Sequence, residues 1–264
     1  MSHQPREHID TLRIHDAWSQ GDCGCPLCQL QQEAEESLLR YYLSPAQMEA
    51  DIRQESNRHG FCKRHLHQLL AGEENRLTLA LVLETYLEEQ TAALNQALKR
   101  SPYRPQRSQK PTLACILPWR NKKKNQDQRP AMAEDGPVER QLAQLSAEES
   151  CLICTDLAET MDLLIEGIFA CYKKEAPFAQ QFREAPYCLP HLRLLLDRAA
   201  EHLRPDSAQD LGQELLKHFV QRLQRARKDC QQFSLQFDYR YRGQELAGAK
   251  GALKRAVELL RGRK

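Results

Sequence analysis

The chain reads Cys-Pro-Leu-Cys at residues 25–28 and Cys-Lys-Arg-His at residues 62–65, a C-x2-C motif followed after 33 residues by a C-x2-H motif. The same two motifs return 126 positions later, as Cys-Leu-Ile-Cys at residues 151–154 and Cys-Leu-Pro-His at residues 188–191. All four metal-ligand types match at this one shift, so coincidence is a poor explanation. The sequence therefore predicts an internal duplication.

Apolar residues around the motifs follow the same shift, since Phe61 falls on Tyr187 and Leu66 falls on Leu192. The fold is therefore expected to be duplicated together with the ligands. The copies are separated by a proline-rich stretch with a Lys122–Lys124 run, a composition typical of a linker. We predict a first zinc-binding helical repeat at 1–100, a flexible basic linker at 101–138, and a second zinc-binding helical repeat with a C-terminal helix at 139–264.

Apolar residues recur at intervals of three and four after each C-x2-C motif, which predicts that each motif opens a helix. In the first repeat, a second helix is expected to start at Ser44-Pro45 and to end at Gly60, which would return Cys62 to the side of Cys28. The second repeat would restart at Pro177, and a last amphipathic helix would carry Leu246 and Ala249 and end at Gly262. The predicted fold is all-α, an internally duplicated helical bundle with two Cys3His metal sites, each closed within its own repeat.

Three thiolates and one imidazole are a typical ligand set for structural zinc, and four protein ligands leave no position for a substrate. We predict two zinc ions. The first site would use Cys25, Cys28, Cys62 and His65, and the second would use Cys151, Cys154, Cys188 and His191. Lys63 and Arg64 could offset the negative charge of the first site, whereas the second site offers only Arg193 nearby.

Other chemistries remain open for these cysteines. The same ligands can hold a two-iron cluster, although C-x2-C paired with C-x2-H is the commoner zinc pattern. The C-x2-C at residues 25–28 could be a thiol redox pair, but no strand pattern accompanies it. Cys23 could replace Cys25 as a ligand but has no counterpart in the second repeat, while Cys115, Cys171 and Cys230 are interpreted as buried or free thiols.

The composition limits the compartments and partners that are compatible with the chain. The N-terminus lacks the apolar stretch of a secretory signal and no apolar run reaches bilayer length, so we expect no membrane segment. Ten cysteines without a signal are expected to be reduced in the cytoplasm. The net charge of +2 argues against general nucleic-acid binding. Nucleic acid could therefore be contacted only through the basic linker, whose first interpretation is a solvated segment. The stretch Phe237–Arg242 is interpreted first as packing of the last helix onto the bundle, with a binding patch as the alternative.

The chain resembles an uncharacterised bacterial family known only as a domain of unknown function. The residues that carry the resemblance are His15-Asp16-Ala17-Trp18, Cys25-Pro26-Leu27-Cys28, Gly60-Phe61-Cys62 with His65, Cys151 to Cys154, Cys188-Leu189-Pro190-His191 and Phe237-Asp238-Tyr239-Arg240. The resemblance implies a cytosolic protein with paired cysteine-rich repeats and brings no known activity, substrate or partner.

The favoured hypothesis is a non-enzymatic helical scaffold, stabilised by zinc, that engages a protein partner. The alternative is a redox- or metal-responsive regulator with zinc-thiolate or iron-sulfur sites. A third hypothesis is an enzyme with a pocket between the repeats. The sequence contains no phosphate-binding glycine loop, metalloprotease helix motif or nucleophile elbow, so no catalytic residue is assigned.

Overall fold

A computed structural model of the chain describes residues 4–19, 24–45, 49–72, 75–100, 136–146, 151–241 and 248–263. These residues form eleven α-helices and contain no β-strand, which confirms the all-α prediction. The helices are α1 (Gln4–Ser19), α2 (Pro26–Tyr42), α3 (Ala50–His59), α4 (Lys63–Ala71), α5 (Arg76–Arg100), α6 (Pro137–Ser146), α7 (Leu152–Lys174), α8 (Ala176–Glu184), α9 (Leu189–His202), α10 (Pro205–Leu235) and α11 (Ala252–Arg261). Within the described ranges, no helix has the length and apolarity needed to span a bilayer.

Most helix boundaries follow the sequence signals. Each C-x2-C motif opens a helix, α2 and α7, as predicted. Gly60 ends α3 with a φ of 67°, a left-handed value that favours glycine, and a Cβ there would lie 3.1 Å from the Tyr86 ring. Proline lies in the first turn of α8, and Gly262 ends α11, both as predicted.

Three predictions about helix ends need correction. The return helix α3 begins at Ala50 rather than at Pro45, because Ser44 donates its backbone N–H to Tyr41 and so belongs to the turn that ends α2. The last helix begins at Ala252, so Ala249 precedes it, and Leu246 lies outside the described residues. Helix α6 starts at Pro137, inside the expected linker, whose residues 101–135 also lie outside the described part of the chain.

The chain divides into two compact units. The first unit combines residues 1–40 with residues 155–264, and the second unit comprises residues 41–154. These units do not coincide with the predicted division at residues 100 and 139, because each one contains parts of both sequence repeats. The C-x2-C and C-x2-H motifs of one repeat therefore fall in different units.

An aromatic cluster on α1 and α8 forms part of the core of the first unit. Trp18 lies 5.3 Å from Phe178 and 6.1 Å from Phe182 between ring centroids, and all three side chains are buried. The Tyr187 hydroxyl donates to the Phe182 carbonyl at 2.7 Å, which fixes the loop directly before Cys188. Helix α10 packs against α8, α9 and α11, so the C-terminal helices also belong to this core.

In the second unit, α5 packs against α3, α4 and α6. The buried apolar residues include Leu69, Leu79 and Val82, and Tyr42 packs edge-on against Phe61, with 5.6 Å between ring centroids. The Phe61 ring thereby contributes to the position of the loop that carries Cys62. The aromatic packing in both units thus positions the two loops that precede the C-x2-H motifs.

Candidate metal centres

All eight predicted ligands gather into two groups of four, but the partners are exchanged between the repeats. We call the group in the first unit site A, formed by Cys25, Cys28, Cys188 and His191. We call the group in the second unit site B, formed by Cys62, His65, Cys151 and Cys154. The prediction that each site closes within its own repeat is therefore wrong.

Helix lengths favour the exchange. At 1.5 Å per residue, α2 rises about 26 Å whereas α3 rises about 15 Å, so α3 alone does not return the chain along the full length of α2. The mismatch is larger in the second repeat, where α7 rises about 35 Å and α8 about 14 Å. Site B is instead closed by a backbone hydrogen bond, in which Leu152 donates to the Gly60 carbonyl at 3.2 Å.

Site A is compact and fully buried. The Nδ1 atom of His191 lies 3.5 Å from Cys25 Sγ, 3.3 Å from Cys28 Sγ and 3.2 Å from Cys188 Sγ. The sulfurs of Cys28 and Cys188 are 3.6 Å apart, much longer than the roughly 2.05 Å of a disulfide. The four donor atoms therefore converge on one small volume without forming a covalent bond.

These spacings fit a single tetrahedral ion. With metal–sulfur bonds of about 2.3 Å and metal–nitrogen bonds of about 2.05 Å, tetrahedral ligands would be separated by about 3.8 Å (S to S) and about 3.6 Å (S to N). The Sγ–Sγ separation is 3.6 Å between Cys28 and Cys188 in site A and 3.9 Å between Cys62 and Cys154 in site B. The Sγ–Nδ1 separations are 3.2 to 3.5 Å. Both sites can therefore hold one metal ion each.

The second ring nitrogen of His191 has a partner that suits metal binding. His191 Nε2 lies 2.9 Å from Gln31 Oε1, so Nε2 carries the hydrogen and donates it to the amide oxygen. This tautomer leaves the lone pair of Nδ1 directed at the three sulfurs. Gln31 is a candidate site residue that the sequence did not indicate, because its position one turn after Cys28 becomes meaningful only once His191 is known to lie opposite.

Site B has the same ligand types as site A, but its histidine has a different neighbour at Nε2. His65 Nδ1 lies 3.2 Å from Cys151 Sγ, 3.3 Å from Cys62 Sγ and 3.4 Å from Cys154 Sγ. The Nε2 atom of His65, however, lies 3.1 Å from Arg64 Nη2, a group that can only donate. This contact favours the tautomer with hydrogen on Nδ1, so metal binding at site B requires the Arg64 side chain to move.

Positive charge offsets the thiolates in both sites, but only site B uses the predicted residues. Lys63 and Arg64 line a surface depression beside Cys62 and Cys154. At site A a nearby cation is Arg222 of α10, which interacts electrostatically with Cys25 and Cys188. The predicted cation Arg193 is instead 84% exposed and pairs with Asp197. The sequence could not indicate Arg222, because it lies 31 residues after His191.

The C-terminal end of the chain seals site A. The backbone N–H of Arg263 donates to Cys28 Sγ at 3.4 Å. Gly262 has a φ of 82°, and a Cβ there would lie 3.1 Å from Cys28 Sγ and 3.5 Å from Cys188 Sγ. Only glycine lets the backbone approach the sulfurs this closely in that conformation. All four ligands of site A are consequently buried, whereas Cys62 and Cys154 of site B are half-buried.

Metal-free sites hold protons that a metal ion would displace. Burial opposes the charging of His191, but hydrogen bonds with Cys188 and Cys28 outweigh it and raise the pKa of His191 to about 9. Hydrogen bonds with Cys188 and Cys25 hold the pKa of Cys28 far below its ordinary value. In site B, burial and the hydrogen bond with Cys151 raise the pKa of Cys154 to about 12. Metal binding is therefore expected to release protons.

The other cysteines divide into three cases. Cys23 and Cys115 lie outside the described residues. Cys230 is a half-buried free thiol, as the sequence interpretation allowed. Cys171 is buried, but it is not isolated, because its thiol lies near the side chains of His15 and Glu175.

No curated protein and no solved structure has significant similarity to this chain. Residues 5–264 match the model of a family described as a family of unknown function, DUF6062. The match covers nearly the whole chain, including all eight ligands of sites A and B. It confirms the resemblance drawn from the cysteine and histidine motifs, and the chain belongs to this family of unknown function.

Proposed function

We propose that the chain is a non-enzymatic helical scaffold stabilised by two zinc ions, one in site A and one in site B, which engages a protein partner. The observation that carries the proposal is the tetrahedral spacing of four donor atoms in each site. Zinc suits three thiolates and one imidazole, and the closed shell leaves no ligand position for a substrate. A reducing compartment such as the cytoplasm would keep the thiolates available.

The spacing also bears on the identity of the metal. A two-iron cluster spreads its four ligands over two metal ions, which separates ligand pairs that sit on different irons. In both sites the donor atoms lie within 4.8 Å of one another, which favours a single ion. Elemental analysis and visible absorption of protein purified without oxygen test this directly. Two zinc ions and no visible absorption are expected, whereas iron with sulfide and a brown colour would contradict the proposal.

A protein partner is supported by apolar surface in the first unit. Two helices expose apolar side chains at intervals of four and three residues, which places them in a stripe along one helix face. The stripes are Leu216, Val220 and Leu223 on α10 and Leu253, Val257 and Leu260 on α11. After α10, Phe237 and Tyr239 are 78% and 84% exposed, so these two aromatic side chains add to the apolar surface.

Affinity capture with matched variants tests the partner. Val257→Glu places a charge on the apolar stripe of α11, whereas Lys254→Glu changes an already exposed charged position on the same helix. We expect wild type and Lys254→Glu to retain the same protein from native lysate and Val257→Glu to lose it. Equal capture by all three proteins would contradict a partner site on this stripe.

A metal- or redox-responsive role is the second candidate, and the exposure of site B favours it. Cys62 and Cys154 are half-buried beside a surface depression, whereas every ligand of site A is buried. Accessible zinc thiolates can be oxidised or lose their metal. Treatment with hydrogen peroxide should then release one zinc ion quickly and leave the other bound. Release of both ions at the same rate would contradict a switch at site B.

The enzyme hypothesis finds less support in the cleft beside site A. A cavity of about 750 Å³ is lined there by Cys25, Cys28 and Cys188 together with several arginines. Three of the four arginines that line it have protein partners: Arg222 donates to the Tyr187 carbonyl, Arg255 pairs with Asp229, and Arg263 pairs with Glu258. These contacts give the arginines a structural role in holding α10 and α11 against the site.

A further inference from the structure

A third group of metal-ligand types lies in the first unit and shares no residue with site A. It consists of His15 on α1, Cys171 in the last turn of α7, and Glu175 at the start of α8. One donor atom from each residue lies within 4.8 Å of the others, and His15 Nε2 is 3.2 Å from Glu175 Oε2. The group therefore brings one nitrogen, one sulfur and one oxygen donor together.

The three side chains are held by their surroundings rather than meeting by chance at a surface. The His15 ring packs edge-on against Phe178, with 5.2 Å between ring centroids. The backbone N–H of Glu175 donates to the Cys171 carbonyl at 2.9 Å, which fixes the separation of these two residues. The Cys171 side chain is buried, while the side chains of His15 and Glu175 are 33% and 42% exposed. The group is thus anchored on one side and open to solvent on the other.

The duplicated fold does not require this group. A shift of 126 positions places Gln141 opposite His15, Pro45 opposite Cys171 and Glu49 opposite Glu175. Two of the three ligand types are therefore missing from the other copy. A thiol at position 171 is not needed to build the repeated helices, because the equivalent position holds a proline.

We propose that His15, Cys171 and Glu175 form a third metal site, which we call site C, with three protein ligands and one open coordination position. Mixed nitrogen, sulfur and oxygen donors suit a divalent transition-metal ion such as Zn²⁺ or Co²⁺. Three protein ligands leave a fourth position for water or another small ligand, unlike the closed shells of sites A and B. Site C thereby differs in kind from the two structural sites and does not depend on their contents.

The ordinary alternative is an ion pair between histidine and glutamate that happens to lie beside a buried thiol. The chain provides a matched control for this alternative. His59 Nε2 lies 3.2 Å from Glu55 Oε2, the same separation as in site C. Among the described residues, this second pair belongs to no group that could hold a metal. A histidine–glutamate pair alone should therefore bind cobalt weakly, and the thiol of Cys171 should make the difference.

Cobalt titration of the full-length, zinc-loaded protein tests the proposal. Co²⁺ bound to a thiolate gives a ligand-to-metal charge-transfer absorption in the near ultraviolet, and zinc released during the titration reports exchange at sites A and B. We expect one additional equivalent of Co²⁺ to bind with thiolate absorption and without release of zinc. Cys171→Ser should abolish the absorption while leaving the zinc content unchanged, and Glu55→Gln should have no effect.

Glu175→Gln gives a second test that does not alter the buried thiol. Its side chain is partly exposed, so the fold should tolerate the change, and cobalt affinity should fall at least tenfold. Site C would be overturned if wild type bound no cobalt beyond zinc exchange, or if Cys171→Ser bound as much cobalt, with the same absorption, as wild type. If sites A and B hold no zinc, cobalt fills them in both proteins, and the equivalent that wild type binds in excess of Cys171→Ser reports site C.

Discussion

The number of zinc ions that double variants retain can distinguish exchange of ligands between the repeats from closure within each repeat. In the structure Cys28 and Cys188 belong to site A, while Cys62 belongs to site B. The double variant Cys28→Ser/Cys188→Ser damages one site and should retain one zinc ion. The double variant Cys28→Ser/Cys62→Ser damages both sites and should retain none. Closure within each repeat would give the opposite result for each pair.

The expected size of the effect follows from the ligand count. Structural zinc sites in small domains bind with apparent free energies of about 10–16 kcal/mol, which is about 2.5–4 kcal/mol for each of four ligands. Because 1.4 kcal/mol is tenfold, the loss of one thiolate should weaken zinc binding by roughly 60- to 700-fold. A chelator of intermediate affinity will then empty a damaged site and leave an intact one loaded.

Zinc is counted by elemental analysis after dialysis against such a chelator, with circular dichroism as a check on helix content. Cys230→Ser removes a half-buried thiol that belongs to neither site, and it should keep two zinc ions. The informative outcome is the single zinc ion retained by Cys28→Ser/Cys188→Ser, since unfolding cannot produce it. If Cys28→Ser/Cys62→Ser kept one ion instead, the exchanged pairing would be refuted.

Three further predictions concern how the sites are built. Gly262→Ala places a residue with a Cβ in a left-handed backbone conformation, which costs about 1–3 kcal/mol, so zinc should leave site A faster. The control is Gly72→Ala, at a helix end where φ is −65°, and it should leave the rate of zinc release unchanged. Gln31→Leu removes the acceptor for His191 Nε2 and should weaken zinc binding at site A by about 10- to 100-fold in a competition assay, whereas unchanged affinity would argue against this tautomer. The raised pKa of His191, about 9, means that its ring is protonated at neutral pH in the metal-free protein, as is the Cys154 thiol with its pKa of about 12. Between pH 6 and 8, zinc affinity should therefore rise about tenfold per pH unit for each proton that zinc binding releases. Calorimetry in buffers of different ionisation enthalpy should detect the released protons.

Loop closure shows why the sequence could not choose between the two pairings. Site A joins Cys28 to Cys188 across 160 positions, whereas closure within the repeat would span 33 intervening residues. The entropy cost of the longer loop exceeds that of the shorter one by only about 1.4 kcal/mol. Chain entropy therefore favours closure within the repeat only slightly, and the packing of a few side chains is enough to reverse the preference.

Several features were nevertheless determined by local sequence alone. The spacing of Cys188 and His191 places both side chains on one side of a helix start, whatever the rest of the chain does. The helix ends at Gly60 and Gly262 follow from backbone conformations that favour glycine. The eight candidate ligands and the helical class could be predicted because each depends on residues close together in sequence, and the duplication could be predicted because the short motifs repeat.

Only the tertiary structure determined which C-x2-C motif lies beside which C-x2-H motif. The motifs are chemically interchangeable, so a C-x2-C motif has no local preference between the two C-x2-H motifs. The choice depends on helix length and core packing: α3 is too short to match the length of α2, and Leu152 instead docks on the Gly60 carbonyl. The same kind of packing brings His15 to Cys171 and Glu175 across more than 150 residues, a distance over which no sequence pattern carries information.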